Sequence, residues 1–330
     1  MSTGIKDKHT EILDWIRIRR QRLGDKIPVV GNLAPYIFVS PFYILFVIFL
    51  LFPILYTLYL SFFEFLGVGN QTLFVLNLGF TTFEVNSLAR LRFVGLANYE
   101  RLLGDPQFHQ SLWNTLYITI VEMPIKVIAA LGLAVILNQS WMKLSKTFRT
   151  LILIPVSANL VAYSAVFLAI LIEGGFMDYL FTLVGLTPIE WITDPLWARH
   201  SLAGMGIWRY VGYNMIILSA GLQQVPQHLY EAAELDGANH WQKFWYVTLP
   251  QIRPILLFVV VTTTIGQLKK FSEPMTIYEA GAPLSGSQTI VMFMYRQAFV
   301  NFNLGYASAV TYAILIIIAI IAMIEMWWGE

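Results

Sequence analysis

Apolar residues in this chain gather into long, charge-poor blocks. Ile27 to Phe63 carries no charged side chain, and Pro35, Pro41 and Pro53 punctuate it, so a helix is predicted at about 36–63. Leu112 to Leu137 is apolar apart from Glu122 and Lys126. Thr150 to Ile172 is charge-free, and Ser201 to Leu222 holds only Arg209. Pro254 to Leu268 is apolar and stops at Lys269 and Lys270, and Gln297 to Ile324 is charge-free. About 20 mostly apolar residues suffice to cross a bilayer as a helix. The pattern therefore predicts six transmembrane helices at about 36–63, 112–137, 150–172, 200–222, 251–271 and 303–326. Composition agrees. Only 12% of the 330 residues are charged and 57% are apolar, against roughly 25% charged in a soluble domain. The reading is an all-α membrane protein.

Charge sets the expected orientation. Residues 1–33 hold seven basic side chains, Lys6, Lys8, Arg17, Arg19, Arg20, Arg22 and Lys26, which the positive-inside rule places in the cytoplasm. With six spans the C-terminus returns to the same side. The connection after the second span carries Lys143, Lys146 and Arg149 without an acid, while 173–198 holds Glu173, Asp178, Glu190 and Asp194 and no base. The 64–111 loop is mixed, with Arg90, Arg92 and Arg101. Two domains follow: a basic cytoplasmic segment, 1–33, and a transmembrane domain, 34–330. In the first, Ile12, Leu13, Trp15, Ile16 and Leu23 share one helical stripe, which predicts an interfacial helix. The first apolar run is too long for the h-region of a signal peptide.

Candidate chemistry is sparse. A net charge of +1 gives no basic field for nucleic acid. Cysteine is absent, which excludes disulfides, thiolate metal sites and cysteine nucleophiles. There is no Gly-Lys dipeptide for a phosphate loop, no His-Glu-x-x-His, no Gly-x-Ser-x-Gly, and the five histidines are scattered. No catalytic or metal-ligating set is expected, so any ATP would be bound by another subunit. Glu122 and Lys126, one helical turn apart, read as a structural ion pair.

The segment VPQHLYEAAELDGANHWQKFWYVTLPQIRP, 225–254, is the most informative. Pro226 suits a helix start, Gln227 to Leu235 are good helix formers, and Gly237 permits a turn other residues resist. Asn239 to Tyr246 can form a second short helix. Physically, this is either an insertion device for a partner's groove or an amphipathic loop on the membrane surface.

The segment resembles the EAA motif of ATP-binding-cassette importer permeases. Glu231-Ala232-Ala233, three residues, Gly237, nine residues and Val247-Thr248-Leu249-Pro250 match it with Val in place of Ile, and Asp236 completes Asp-Gly-Ala. FPILYTLYLSFFEF (52–65), FVGLANYERLLGDPQFHQSLWNTLYIT (93–119), LGLAVILN (131–138), FRTLILIPVSAN (148–159) and GYASAV (305–310) are similar to the carbohydrate branch of that family. The match is to the partner with the longer first outer loop. Phe271-Ser272 and Gly281-Ala282-Pro283 depart from the family's Phe-Asp and Gly-Gly-Pro.

The resemblance implies a type I importer fold in a bacterial or archaeal cytoplasmic membrane. It implies a second permease, two ATPase subunits holding ATP and Mg, an external solute-binding protein, and no cofactor on this chain. The coupling loop would be 223–250, with Glu231, Ala232, Ala233, Asp236, Gly237, Leu249 and Pro250 transmitting ATPase motion. Alignment with the maltose-permease branch places Gly206, Arg209, Tyr210, Tyr213, Thr263, Gly266, Gln267 and Lys270 along the substrate path. The cargo implied is a carbohydrate, an oligosaccharide. Arg209, Lys269 and Lys270 add an excess of positive charge near that path, which suits an anionic cargo such as a uronate oligomer. Glycerol phosphate and polyamines are alternative cargoes for the same machinery. An ion-driven secondary transporter is the other class, but the repeated halves it usually shows are not visible.

Overall fold

The computed structural model describes residues 28–77, 82–139 and 142–329. The interfacial helix expected over Ile12 to Leu23 lies outside them. The chain divides into two units, 1–59 and 60–330.

The first unit is the apolar N-terminal helix. It runs as α1 (Pro28–Phe46), a five-residue π turn (Val47–Leu51) and α2 (Phe52–Ser61). It starts earlier than the expected 36, because Pro35 and Pro41 lie inside α1 instead of delimiting it. A proline removes one backbone donor and kinks a helix without having to end it. Nearly every side chain between Tyr36 and Tyr59 is exposed.

The second unit opens with a feature the apolar pattern did not announce. Phe63–Asn77 (β1) and Thr82–Phe93 (β2) pair antiparallel, with Phe63 opposite Phe93 and Glu64 opposite Arg92. The Glu64 and Arg92 side chains form an ion pair. Helices follow: α3 (Ala97–Gly104), α4 (Pro106–Leu137), α5 (Ser145–Ser157), α6 (Leu160–Leu171), α7 (Phe176–Leu183) and α8 (Pro195–Leu222). Then come α9 (Gln227–Leu235), α10 (His240–Lys243), α11 (Leu249–Leu268), α12 (Ser272–Glu279), α13 (Leu284–Ser287), α14 (Ile290–Tyr295) and α15 (Leu304–Gly329).

Among the described residues, five helical stretches are long and apolar enough to cross a membrane: Pro35–Ser61, Pro106–Leu137, Leu160–Leu183, His240–Glu279 and Leu304–Gly329. α8 is long enough but less apolar. It is the interior helix, with half of its 28 residues buried, so it needs little lipid-compatible surface. The expected third span, 150–172, is two helices. α5 ends at Ser157, and Asn159 caps α6 by accepting from the Val161 and Ala162 amides.

α4 and α8 run parallel. Tyr117 contacts His200 toward one end, and Ala130, Ala134 and Leu137 pack with Met215, Leu218 and Leu222 toward the other. Asp105 and Asp194, each followed by proline, cap their first turns. The buried face of α4 is polar: Ser111, Asn114, Thr115, Thr119, Glu122 and Lys126 recur every three or four residues. This stripe serves irregular backbone after α12. Asn114 Nδ2 donates to the Gln288 carbonyl at 3.0 Å, and Thr115 Oγ1 accepts from the Ile290 amide at 2.8 Å. Buried backbone groups need such partners.

Candidate substrate cavity and coupling loop

Between two apolar clusters of the α4–α8 interface lies a buried charged layer. Ile118, Leu202 and Met205 belong to one cluster, and Val127, Ala130 and Met215 to the other. Between them Glu122 is fully buried and takes two ammonium groups, Lys126 Nζ on Oε1 at 2.9 Å and Lys270 Nζ on Oε2 at 2.6 Å. Gln267 Nε2 also donates to Oε1. Lys270 Nζ further reaches the Leu202 carbonyl at 3.1 Å, and its own carbonyl accepts from Thr289 Oγ1 at 2.7 Å. Lys126 also sits 5.3 Å from the Tyr210 ring centre. Gly206 makes room for this layer, since a Cβ there would run into the Glu122 carboxylate and the Lys270 ammonium.

Beside this layer is a cavity of about 390 Å³. Tyr210, Tyr213 and Asn214 from α8 line it, with Thr262, Thr263, Gly266 and Gln267 from α11. Lys126, Leu160, Lys269, Lys270, Phe271, Ser272 and Glu273 complete the wall. Asn214 Nδ2 donates to Thr263 Oγ1 at 2.9 Å, and Gln267 Oε1 has no partner among the described residues. Rings, amides and hydroxyls on one wall can stack on and hydrogen-bond a polyhydroxylated ring.

Behind the cavity, Arg209 fills the break between α5 and α6. Its Nη2 donates to the Ala158 carbonyl at 2.8 Å and to Val156 at 3.4 Å. Its guanidinium stacks 4.4 Å from the Tyr163 ring centre, and the Tyr163 hydroxyl donates to Glu273 Oε1 at 2.6 Å. A cation at the end of α5 satisfies carbonyls that a broken helix leaves free.

The 223–250 loop leaves from the same end of the α4–α8 pair as the 138–144 connection. α9 ends in a Schellman turn: the Ala238 amide donates to the Ala233 carbonyl and the Gly237 amide to Glu234, with Gly237 at φ +79°. This explains the spacing from Ala233 to Gly237, because the left-handed residue must follow at that distance. Glu231, Ala232, Asp236 and Gly237 are exposed. Asn239 and Gln242 form a reciprocal cap on α10. The expected second helix, 239–246, is present from His240, and it runs on through a π turn, Phe244–Thr248, into α11. Two links brace the loop: Tyr230 Oη with Thr248 Oγ1 at 2.9 Å, and Lys243 Nζ with Glu234 Oε2 at 2.9 Å. The adjacent Lys243 holds the Glu234 carboxyl below its ordinary range.

Residues 106–328 match the family of binding-protein-dependent transport system inner membrane components. The chain belongs to that family. The lactose transport system permease protein LacF of Rhizobium radiobacter is 34% identical over 296 residues, covering 88% of this chain and 92% of that protein. The arabinooligosaccharides transport system permease protein AraP of Bacillus subtilis is 29% identical, covering 89% and 87%. In fold, the chain is similar to a bacterial alginate ABC transporter solved with an alginate pentasaccharide-bound periplasmic protein. The TM-score is 0.73 at 21% identity, with 92% of this chain and 96% of that one covered. The chain is thus a multi-pass membrane permease of the type I importer fold, and its relatives are permease subunits, the transport components of their systems.

Of the residues aligned to the permease path, Tyr210, Tyr213, Thr263, Gly266, Gln267 and Lys270 line the cavity. Gly206 and Arg209 stand behind it, the first clearing space for Glu122 and the second closing the helix break. The pairing of Glu122 with Lys126 is present but incomplete as a description, because the same carboxylate also holds Lys270. Lys270 therefore does not reach outward with Lys269: it is buried, while Lys269 is exposed on the cavity wall. Asn214, Lys126 and Glu273 are wall residues that sequence reasoning missed. Asn214 sits four residues after Tyr210 and was legible as the same helical face. Glu273 follows a helix end and carried no periodic signal.

Proposed function

We propose that this chain is one of two permease subunits of an ATP-binding-cassette importer in a bacterial or archaeal cytoplasmic membrane, and that its cargo is an oligosaccharide. The observation that carries the reading is the cavity, whose two tyrosines, two amides and threonine hydroxyls are the chemistry a sugar needs. The names of the relatives, lactose and arabinooligosaccharide permeases, support the same class. ATP and Mg belong to two ATPase subunits, and no cofactor is assigned to this chain. An external solute-binding protein delivers the sugar.

The chain's charge bias places both termini and the 223–250 loop in the cytoplasm. There Glu231, Ala232, Ala233, Asp236 and Gly237 present the exposed bend to an ATPase, while Leu249 and Pro250 join it to α11. Closure of the ATPases moves the bend, and α11 carries the motion to Thr263, Gly266 and Gln267 at the cavity. Tyr210 and Tyr213 stack on sugar rings, and Gly206 and Arg209 keep α8 in place behind them. This is a two-state element biased from both ends.

The test is uptake by the reconstituted complex. Glu231→Lys and Gly237→Pro are expected to leave the complex assembled, or nearly so, and to abolish oligosaccharide import. Normal import by both variants would overturn the coupling role.

A further inference from the structure

The oligosaccharide reading leaves open which charge the cargo carries and which residue reads it. Four cations gather at the cavity, Lys126, Lys269 and Lys270 on its wall and Arg209 behind it, but only two carboxylates, Glu122 and Glu273, accompany them. Their partners divide them sharply. Lys126 and Lys270 share the single Glu122 carboxylate, and both ammonium groups are buried. Arg209 lies on the Tyr163 ring, whose hydroxyl bonds Glu273. Among the described residues Lys269 has no carboxylate within ion-pair distance, and it is exposed.

The buried layer holds one more lysine than carboxylates, and Lys269 adds a cation on the cavity wall. Charge within a membrane span is costly unless paired, and its field is strong where water is scarce. An anion entering the cavity relieves both.

We infer that the cavity takes the acidic form of an oligosaccharide, one bearing carboxylate or sulfonate groups, and that Lys269 is the residue that contacts the acid. Lys270 is a positioning residue: its ammonium is held by Glu122 and Leu202, and it fixes the end of α11 from which Lys269 projects. This rests on the oligosaccharide reading and adds the cargo's charge and its reader.

The experiment compares a uronate oligosaccharide with its methyl ester, the same sugar without the charge. Uptake is measured in proteoliposomes holding the full complex, with Lys269→Gln, Lys269→Arg and Lys270→Gln beside the unaltered protein. Lys269→Gln is expected to lower uptake of the acid by about tenfold or more, the loss of one charge-assisted hydrogen bond, and to lower uptake of the ester far less. Lys269→Arg should restore the acid, and Lys270→Gln should reduce acid and ester alike. Equal loss of both sugars in Lys269→Gln, or selective loss of the acid in Lys270→Gln, overturns the assignment. Import of the ester alone by the unaltered complex overturns the charge claim and leaves the oligosaccharide reading standing. Import of neither, in the face of an active ATPase, removes both.

Discussion

At the residue scale, the burial of Glu122 makes its neighbours interdependent. Removing its charge leaves Lys126 and Lys270 without a counter-ion, and breaking a buried ion pair costs about 3–5 kcal/mol. Glu122→Gln should therefore lower the melting temperature of the detergent-solubilised complex markedly. Glu122→Gln with Lys270→Met should recover part of that loss, since one orphaned charge goes with it. A double variant less stable than the single one would show that the layer is not held by charge pairing. Gly206→Ala tests the same layer sterically, because its Cβ meets the carboxylate. Overpacking of this kind costs roughly 1–3 kcal/mol, read in the same melting measurement.

The helix break and the coupling loop belong to the scale of elements. α5 ends at Ser157 and its freed carbonyls find Arg209. Arg209→Met should cost about 1.5–3 kcal/mol, the range for hydrogen bonds to a charged group, and Arg209→Lys should restore little because a point ammonium does not stack and fork as guanidinium does. Equal stability of the methionine variant in thermal unfolding would remove this role. In the loop, the Tyr230–Thr248 and Glu234–Lys243 links brace α9 against the start of α11. In the proposed coupling role the bend must not flex at its base. Tyr230→Phe should leave ATP hydrolysis by the complex intact while lowering transport per ATP, and an unchanged ratio would show the brace to be dispensable. The Glu234–Lys243 link is complete above the lowered carboxyl pKa and is lost as pH falls through it.

For the whole molecule, the end of the 60–330 unit opposite the coupling loop is riveted. Asn98 Nδ2 donates to the Ser61 and Phe63 carbonyls, Tyr306 Oη donates to Asp105 Oδ2 at 2.7 Å, and Gly305 abuts the Phe63 carbonyl. These residues come from the 52–65, 93–119 and 305–310 segments that carried the resemblance. Asn98→Ala should destabilise more than Tyr306→Phe. It removes two hydrogen bonds together with the buried amide that makes them, whereas Tyr306→Phe removes one hydrogen bond and keeps the ring in place. The order of the two melting temperatures checks it.

The sequence by itself settled what local rules can settle. Charge-free runs announce long apolar helices because hydrocarbon tolerates little else, and the Glu-Ala-Ala-to-glycine spacing announces a helix closed by a left-handed turn. Loop charge predicts an orientation through the positive-inside rule. The first span lies where the apolar run put it, and only its helix start differs, because Pro35 is carried inside α1. Tertiary structure alone decided that the third apolar run is two helices, that Arg209 seals their junction, and that Lys126 and Lys270, 144 positions apart, share one carboxylate. Such partnerships join residues distant in sequence, and only the parallel packing of α4 and α8 with α11 against them brings those charges within reach of each other.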